Sequence, residues 1–501
     1  MKVKSLILSA VAALFLVPAQ ADAQRVVILS TNDTHSQIDP KADNKGGILR
    51  RKVLIDSIRG AEKNVVLVDA GDAVQGSLFF TLFDGEVEQK MLNALGYDIQ
   101  ILGNHEFDNG LEKLKKQYEK ATPTLLSTNY DFSATPLAGM FQPYVIKNIE
   151  GKRIAFIGVN VQPKGLIDPD NYAGMNYYDD VETANALADY LKNELKVDRV
   201  VAITHIGYSQ DRKLVEGGRN IDAVIGGHSH DFVFPSAALP NALYAKNLDG
   251  KVVPISQMGK SGLFLGEMVL DFDDPSGLKI SYEGIPVDAR LDSRVTPEMK
   301  ALLAPYRHKV DSISAIQIGQ TAEAMASDSW ELSNLLGDWV YRVGERMIGR
   351  RPDFGMINRG GIRNGLPAGT ITQGNIIEML PFNNRVVVVE MKGSDLQDLF
   401  GILARQGGQA VSSQVKATYN KASGALDVKI GGKKIDPNRM YTVATIDYLQ
   451  RGGDNMTPFV DKPVLVKSPN LLYRDLIDEF TTGDFKGVAV KADPSTRMKI
   501  K

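Results

Sequence analysis

Between Arg25 and about residue 270, short apolar runs alternate with stretches whose apolar residues recur at helical spacing. The runs are Val26–Leu29, Val65–Val68, Ile99–Leu102, Ile154–Val159, Val200–Ile203 and Ala223–Ile225. Such runs form strands covered on both faces, and the patterns at Leu111–Lys120 and Val181–Leu195 predict helices that cover them. An α/β layered domain over residues 24–295 follows, with Gly151-Lys152 and Pro254 punctuating further strands at its edges. Thr296-Pro297-Glu298 reads as a helix start: Thr296 caps, Pro297 fits the first turn and Glu298 meets the positive end of the dipole. This helix extends to about Ser314 and makes residues 296–314 a connector.

From Ala315 the rhythm changes. A helical pattern around Leu332–Gly344 precedes runs punctuated by Gly and Pro at Val386–Met391, Val415–Tyr419, Leu426–Ile430 and Tyr441–Ile446. Turn signals such as Gly431-Gly432 join them, so residues 315–501 predict a mixed α+β domain with its own core. A chain of 501 residues accommodates two such domains.

The first 23 residues have a different pattern. Lys2 and Lys4 precede an apolar run from Leu6 to Val17, and Ala21-Asp22-Ala23 supplies a small-x-small cleavage site, the layout of a secretory signal peptide with Gln24 as the mature start. The run is short of the roughly 20 residues that span a bilayer. With no cysteine and a polar, basic end at Thr496–Lys501, no lipid or C-terminal anchor is expected, and the product is placed in the periplasm or outside the cell. The net charge of −2 gives no basic field for nucleic acid. Absence of cysteine also excludes disulfides, thiolate metal sites and cysteine nucleophiles. Oligomeric state is left open.

Six histidines are present, and five follow the predicted strands of the first domain. Asp33-Thr34-His35 follows Val26–Leu29; Asp69-Ala70-Gly71-Asp72 follows Val65–Val68; Gly103-Asn104-His105-Glu106-Phe107-Asp108 follows Ile99–Leu102. Thr204-His205 follows Val200–Ile203, and Gly226-Gly227-His228-Ser229-His230 follows Ala223–Ile225; only His308 lies elsewhere. Ligands of open α/β sheets bind beyond the carboxyl ends of the strands, so the five segments should converge. Imidazole with carboxylate suits zinc, manganese or iron rather than calcium, and a carboxylate such as Asp72 can bridge two ions.

Together these segments resemble the calcineurin-type metallophosphoesterases, and the resemblance extends over the mature chain to the secreted 5′-nucleotidase family that includes bacterial UDP-sugar hydrolase. It implies an N-terminal α/β/β/α sandwich, a linking helix, a C-terminal substrate domain and two divalent ions, zinc, manganese or cobalt. Carried over, Asp33, His35, Asp72 and His230 would hold one ion, and Asp72, Asn104, His205 and His228 the other. His230 stands where the family usually has an amide. The family's catalytic pair falls on His105 and Asp108, the first suited to act as a cationic donor to the leaving oxygen and the second to hold it.

In the second domain the resemblance places a phosphate-binding group at Arg363, a base contact at Asn358, two stacking aromatics at Phe382 and Tyr448, and a ribose-binding acid at Asp454. Arg359 replaces a glycine of the family's loop. The usual upstream arginine is missing from Glu323 to Asn334, and Arg359 is the candidate to replace it. The implied reaction is removal of phosphate from 5′-nucleotides and cleavage of nucleotide sugars. The alternatives are a 2′,3′-cyclic-nucleotide phosphodiesterase with 3′-nucleotidase activity, and a non-catalytic nucleotide-binding protein.

Overall fold

The computed structural model describes residues 25–41, 43–233, 244–273 and 279–501; the leader pattern ending at Ala23 lies outside them. The first domain is built on two sheets. One runs, in spatial order, Lys279–Pro286, Phe264–Asp271, Arg25–Thr31, Val65–Asp69, Ile99–Ile101 and Thr124–Leu126. The other runs Phe232–Val233, Val252–Met258, Ala223–Ile225, Arg199–His205, Lys152–Asn160 and Tyr144–Ile149, with Tyr244–Lys246 also paired to Val252–Met258. From Arg25–Thr31 to Thr124–Leu126, and from Val252–Met258 to Lys152–Asn160, neighbours are parallel.

Alternation along each strand explains the layers. Val26, Ile28, Val66 and Val68 meet Phe156, Val201 and Ile203 between the sheets. Val27, Leu29 and Leu67 face the other way, onto Ile55, Leu92 and Leu95 of the helices Ile48–Ala61 and Glu86–Leu95. On the far side, Ala155, Ile157, Val200 and Ala202 pack against Ala184, Ala188 and Leu191 of the helix Asp180–Asn193. The result is an α/β/β/α sandwich, and each large apolar side chain buried in it contributes roughly 1.5–3 kcal/mol. Glu150 and Gly151, both at positive φ, turn Tyr144–Ile149 back into Lys152–Asn160. Pro254 is not at a sheet edge as expected: its strand has neighbours on both sides, and Pro254 itself pairs with Tyr244.

The connector helix is Pro297–Ser314, capped by Thr296, whose hydroxyl accepts from Met299 N. Leu303 and Val310 are buried in a core continuous with both the outer layer of the first sheet and the second domain. Tyr306 donates to Glu86 at 2.6 Å, and Arg307 pairs with Asp39, so the helix is fastened to the first domain. In the second domain a five-stranded sheet orders Ala410–Val411, Phe354–Ile357, Met440–Ile446, Val386–Lys392 and Val464–Lys467. The helix Trp330–Ile348 covers it with Leu332, Leu336, Trp339, Val340 and Val343, and begins where the Ser329 hydroxyl accepts from Leu332 N.

Candidate active site

Strands of both sheets deliver their carboxyl ends to one edge of the sandwich. Asp33, His35, Asp72, His228 and His230 all have φ between +46° and +80°. A left-handed backbone costs an L-residue about 1–2 kcal/mol, and such strain concentrates at functional sites. Here it folds each segment tightly enough that residues two apart reach one cluster: His35 Nε2 lies 3.9 Å from Asp33 Oδ1.

Around Asp33 the donors are His35 and His230, whose Nε2 atoms are 2.9 Å apart, with His230 Nε2 3.4 Å from Asp33 Oδ1. Around Asp72 they are His205, with Nε2 at 3.2 Å from Oδ2, and His35 and His105, each with Nε2 at 4.0 Å. Asn104 Oδ1 and His228 Nδ1 meet at 2.9 Å beside them. Asp33, Asp72 and His205 are all fully buried or nearly so.

This donor set fits divalent ions. Three groups among the described residues, Asp33/His35/His230, His35/Asp72/His105 and Asp33/Asp72/His205, each bring their ligand atoms within 4.8 Å of one another. His205 Nδ1 donates to the Ala70 carbonyl at 2.7 Å, which orients the ring so that the buried Nε2 is aimed at the carboxylates, 3.2 Å from Asp72 Oδ2. The charges are mutually dependent. Burial disfavours a charged His205, but Asp72 and Asp33 hold it up at about 10. Burial also opposes ionised Asp72, yet His205 and His105 hold its carboxyl well below the usual range. His228 is pushed down to about 4 by burial and the His205 charge, and His35 is lowered by burial and Arg363.

His105 stands at the rim of the cluster. Its Nδ1 meets Asp108 Oδ2 at 2.9 Å, so the Asp108 carboxylate holds the ring. Burial alone would lower His105, but Asp108 and Asp72 raise it above its ordinary value.

The second domain closes over this edge. A cavity of about 470 Å³ is lined by Asp72, Asn104, His105, Asp108, His228 and His230 from the first domain, and by Asn358, Arg363, Phe382, Tyr448 and Asp454 from the second. The Phe382 ring lies 5.7 Å from that of His105, and the Arg363 guanidinium lies 5.8 Å over Phe382. Asp454 accepts from Asn358 Nδ2 at 2.7 Å and from the Tyr448 hydroxyl at 2.8 Å.

Sequence comparison agrees with this division. Residues 26–232 match the calcineurin-like phosphoesterase family, and residues 317–461 match the 5′-nucleotidase C-terminal domain. The bovine (Bos taurus) 5′-nucleotidase is 30% identical over 420 residues, covering 77% of this chain and 73% of its own length. The chain belongs to the 5′-nucleotidase family. The human (Homo sapiens) 5′-nucleotidase is 28% identical over 494 residues, covering 88% of this chain and 86% of the relative. The crystal structure of a 5′-nucleotidase precursor from Thermus thermophilus superposes with a TM-score of 0.83 at 25% identity, over 95% of this chain and 99% of that one. This family member is a metal-dependent phosphoester hydrolase.

Of the expected substrate-binding residues, one does not line the cavity. The Arg359 guanidinium lies 4.2 Å over the Trp330 ring and donates to the Asp328 carbonyl, so aromatic and backbone partners hold it away from the cavity it was expected to join. Conversely, sequence reasoning passed over the loop Leu166–Asn171, which lines the cavity and ties the domains together. Asp168 and Asp170 pair with Arg451 at 2.7 and 2.8 Å, and the Leu166 carbonyl lies 3.2 Å from the Tyr448 hydroxyl. Its only sequence signal was the acidic Asp168-Pro169-Asp170 pattern, which also reads as an ordinary turn.

Proposed function

We propose that the protein is an exported two-metal 5′-nucleotidase that releases phosphate from 5′-nucleotides and also cleaves nucleotide sugars. The observation that carries this reading is the shared cavity, where Asn358, Arg363, Phe382, Tyr448 and Asp454 face the carboxylate–imidazole cluster and the His105–Asp108 pair. Asp33, His35, Asp72 and His230 would hold one ion, and Asp72, Asn104, His205 and His228 the other; zinc, manganese and cobalt suit these donors. Two such ions supply an activated water and neutralise phosphoryl oxygens.

The chain's own residues do the rest. Arg363 forks onto phosphate oxygens, its charge favoured by Asp72, Asp108 and Asp33 against the burial that disfavours it. His105, whose pKa Asp108 and Asp72 raise against burial, donates from Nε2 to the departing oxygen while Asp108 fixes the ring through Nδ1. Phe382 and Tyr448 flank the base, and Asp454, already oriented by Asn358 and Tyr448, accepts from ribose hydroxyls.

Export is supported by the leader pattern from Lys2 to Ala23, and no helix among the described residues is long and apolar enough to cross a membrane. The test is a panel of AMP, 3′-AMP, 2′,3′-cyclic AMP and UDP-glucose with added Mn²⁺, Co²⁺ or Zn²⁺. AMP should be hydrolysed fastest and UDP-glucose cleaved. Preference for 3′-AMP or the cyclic ester would replace this reading with the 3′-nucleotidase one, and turnover of none would favour a binding protein.

A further inference from the structure

Glu106 lies inside the Gly-Asn-His-Glu-Phe-Asp segment, yet it takes no part in the roles proposed for its neighbours. Its side chain is almost fully buried, at 3% exposure, and its carboxylate accepts three backbone N–H groups. Asp72 N donates to Oε2 at 3.1 Å, Ala73 N to Oε1 at 2.9 Å and Gly103 N to Oε2 at 2.6 Å. Two of these donors belong to the segment after Val65–Asp69, and the third to the segment after Ile99–Ile101. One carboxylate therefore joins two neighbouring strand ends.

The connection is reciprocal. Asp72 Oδ1 accepts from His105 N at 2.9 Å, so the side chain of each segment binds the backbone of the other. Close approach makes this possible: a Cβ on Gly103 would overlap the Asp72 carboxylate, and one on Gly71 would overlap the Gly103 backbone. Asp72 is also held at φ +53°, a conformation an unconstrained aspartate leaves. Three backbone N–H groups converging on one buried carboxyl group can hold such a backbone in place.

We propose that Glu106 is a positioning residue that sets Asp72 against Asn104 and thereby governs metal affinity, without touching ion or substrate. This rests on the two-metal reading above, in which Asp72 serves both ions. Outer partners of metal ligands change affinity or activity by about 10–100-fold when lost. Glutamine at this position retains the shape but turns one acceptor into an NH₂ group facing backbone N–H donors, so the two segments separate or rotate.

The test uses the full-length protein, stripped by chelation and titrated with Mn²⁺ by calorimetry at a temperature well below its melting point. For Glu106→Gln, affinity for both ions should fall together by about 10–100-fold, with circular dichroism unchanged. KM for AMP at saturating Mn²⁺ should move less than about threefold, because the base and ribose half-site is in the other domain. Glu106→Asp keeps the carboxyl acceptors but is one methylene short, and its affinity should fall between wild type and Glu106→Gln. A lowered melting temperature with unchanged Mn²⁺ affinity would mean a purely structural acid and overturn the proposal, as would failure of both variants to fold. The wild-type titration separately checks the reading beneath it: fewer than two Mn²⁺ ions per chain would reject the two-metal site itself.

Discussion

His205 is buried and His105 part-buried beside Asp72, and their hydrogen bonds suit them to different tasks. His105 Nδ1 is tied to Asp108, leaving Nε2 toward the cavity as a donor. Replacing it by asparagine should lower kcat for AMP by about 10²–10⁴-fold with metal content unchanged. The loss should shrink for p-nitrophenyl phosphate, whose leaving group needs little protonation; an equal loss for both esters would remove the leaving-group role. His205 Nδ1 is tied to Ala70, and Asp72 and Asp33 raise its pKa from 6.5 to about 10 despite burial. In chelated protein the folded state therefore binds a proton that the unfolded state releases between these values. The resulting stability is fully present below pH 6.5 and lost as pH rises through about 10. Urea midpoints of the chelated protein should fall from pH 8 to 10, and the slope should flatten in His205→Gln. Because an ion must displace that proton, affinity for Mn²⁺ should rise over the same range.

The strands and their ends were legible because two-sided burial leaves a simple record: Val26–Leu29 and Val200–Ile203 are apolar on both faces, and the metal-ligating residue types follow directly. The connector was legible for local reasons, since Thr296 and Pro297 act within one helical turn. Side-chain direction was not. Arg359 belongs to a Gly-rich segment suited to phosphate, but Trp330, 29 positions earlier, captures its guanidinium. The loop Leu166–Asn171 was missed because its role depends on Arg451, which lies in the other domain. Arg451→Ala should raise KM for AMP by about 2–5-fold, the range of a partly exposed ion pair, with little change in melting temperature. The double exchange Arg451→Asp with Asp168→Arg should recover part of that loss; no recovery would mean that the pair does not join the walls of the cavity.

In the proposed function, chemistry and recognition are divided between the two domains, with the carboxylate–imidazole cluster on one side of the cavity and Asn358, Arg363, Phe382, Tyr448 and Asp454 on the other. Phe382 stands at their junction, near both His105 and Arg363. Stacking on an aromatic is worth about 1–3 kcal/mol per base, so Phe382→Ala should raise KM for AMP by roughly 5–150-fold. A base-free ester should respond only through the His105 contact, within about tenfold in kcat; equal damage to both substrates would make Phe382 a core residue rather than a base clamp. In the two-metal reading, hydrolysis depends on ions held in common by Asp72. Its most direct test is to strip the protein with EDTA, restore Mn²⁺ stepwise, and record bound ions and phosphate release from AMP on the same samples, for wild type and Asp72→Ala. Wild type should bind two ions per chain and regain activity as they load, while Asp72→Ala should hold neither and stay inactive. Full activity in EDTA, or two ions retained by Asp72→Ala, would rule out ions shared at Asp72 as the source of hydrolysis.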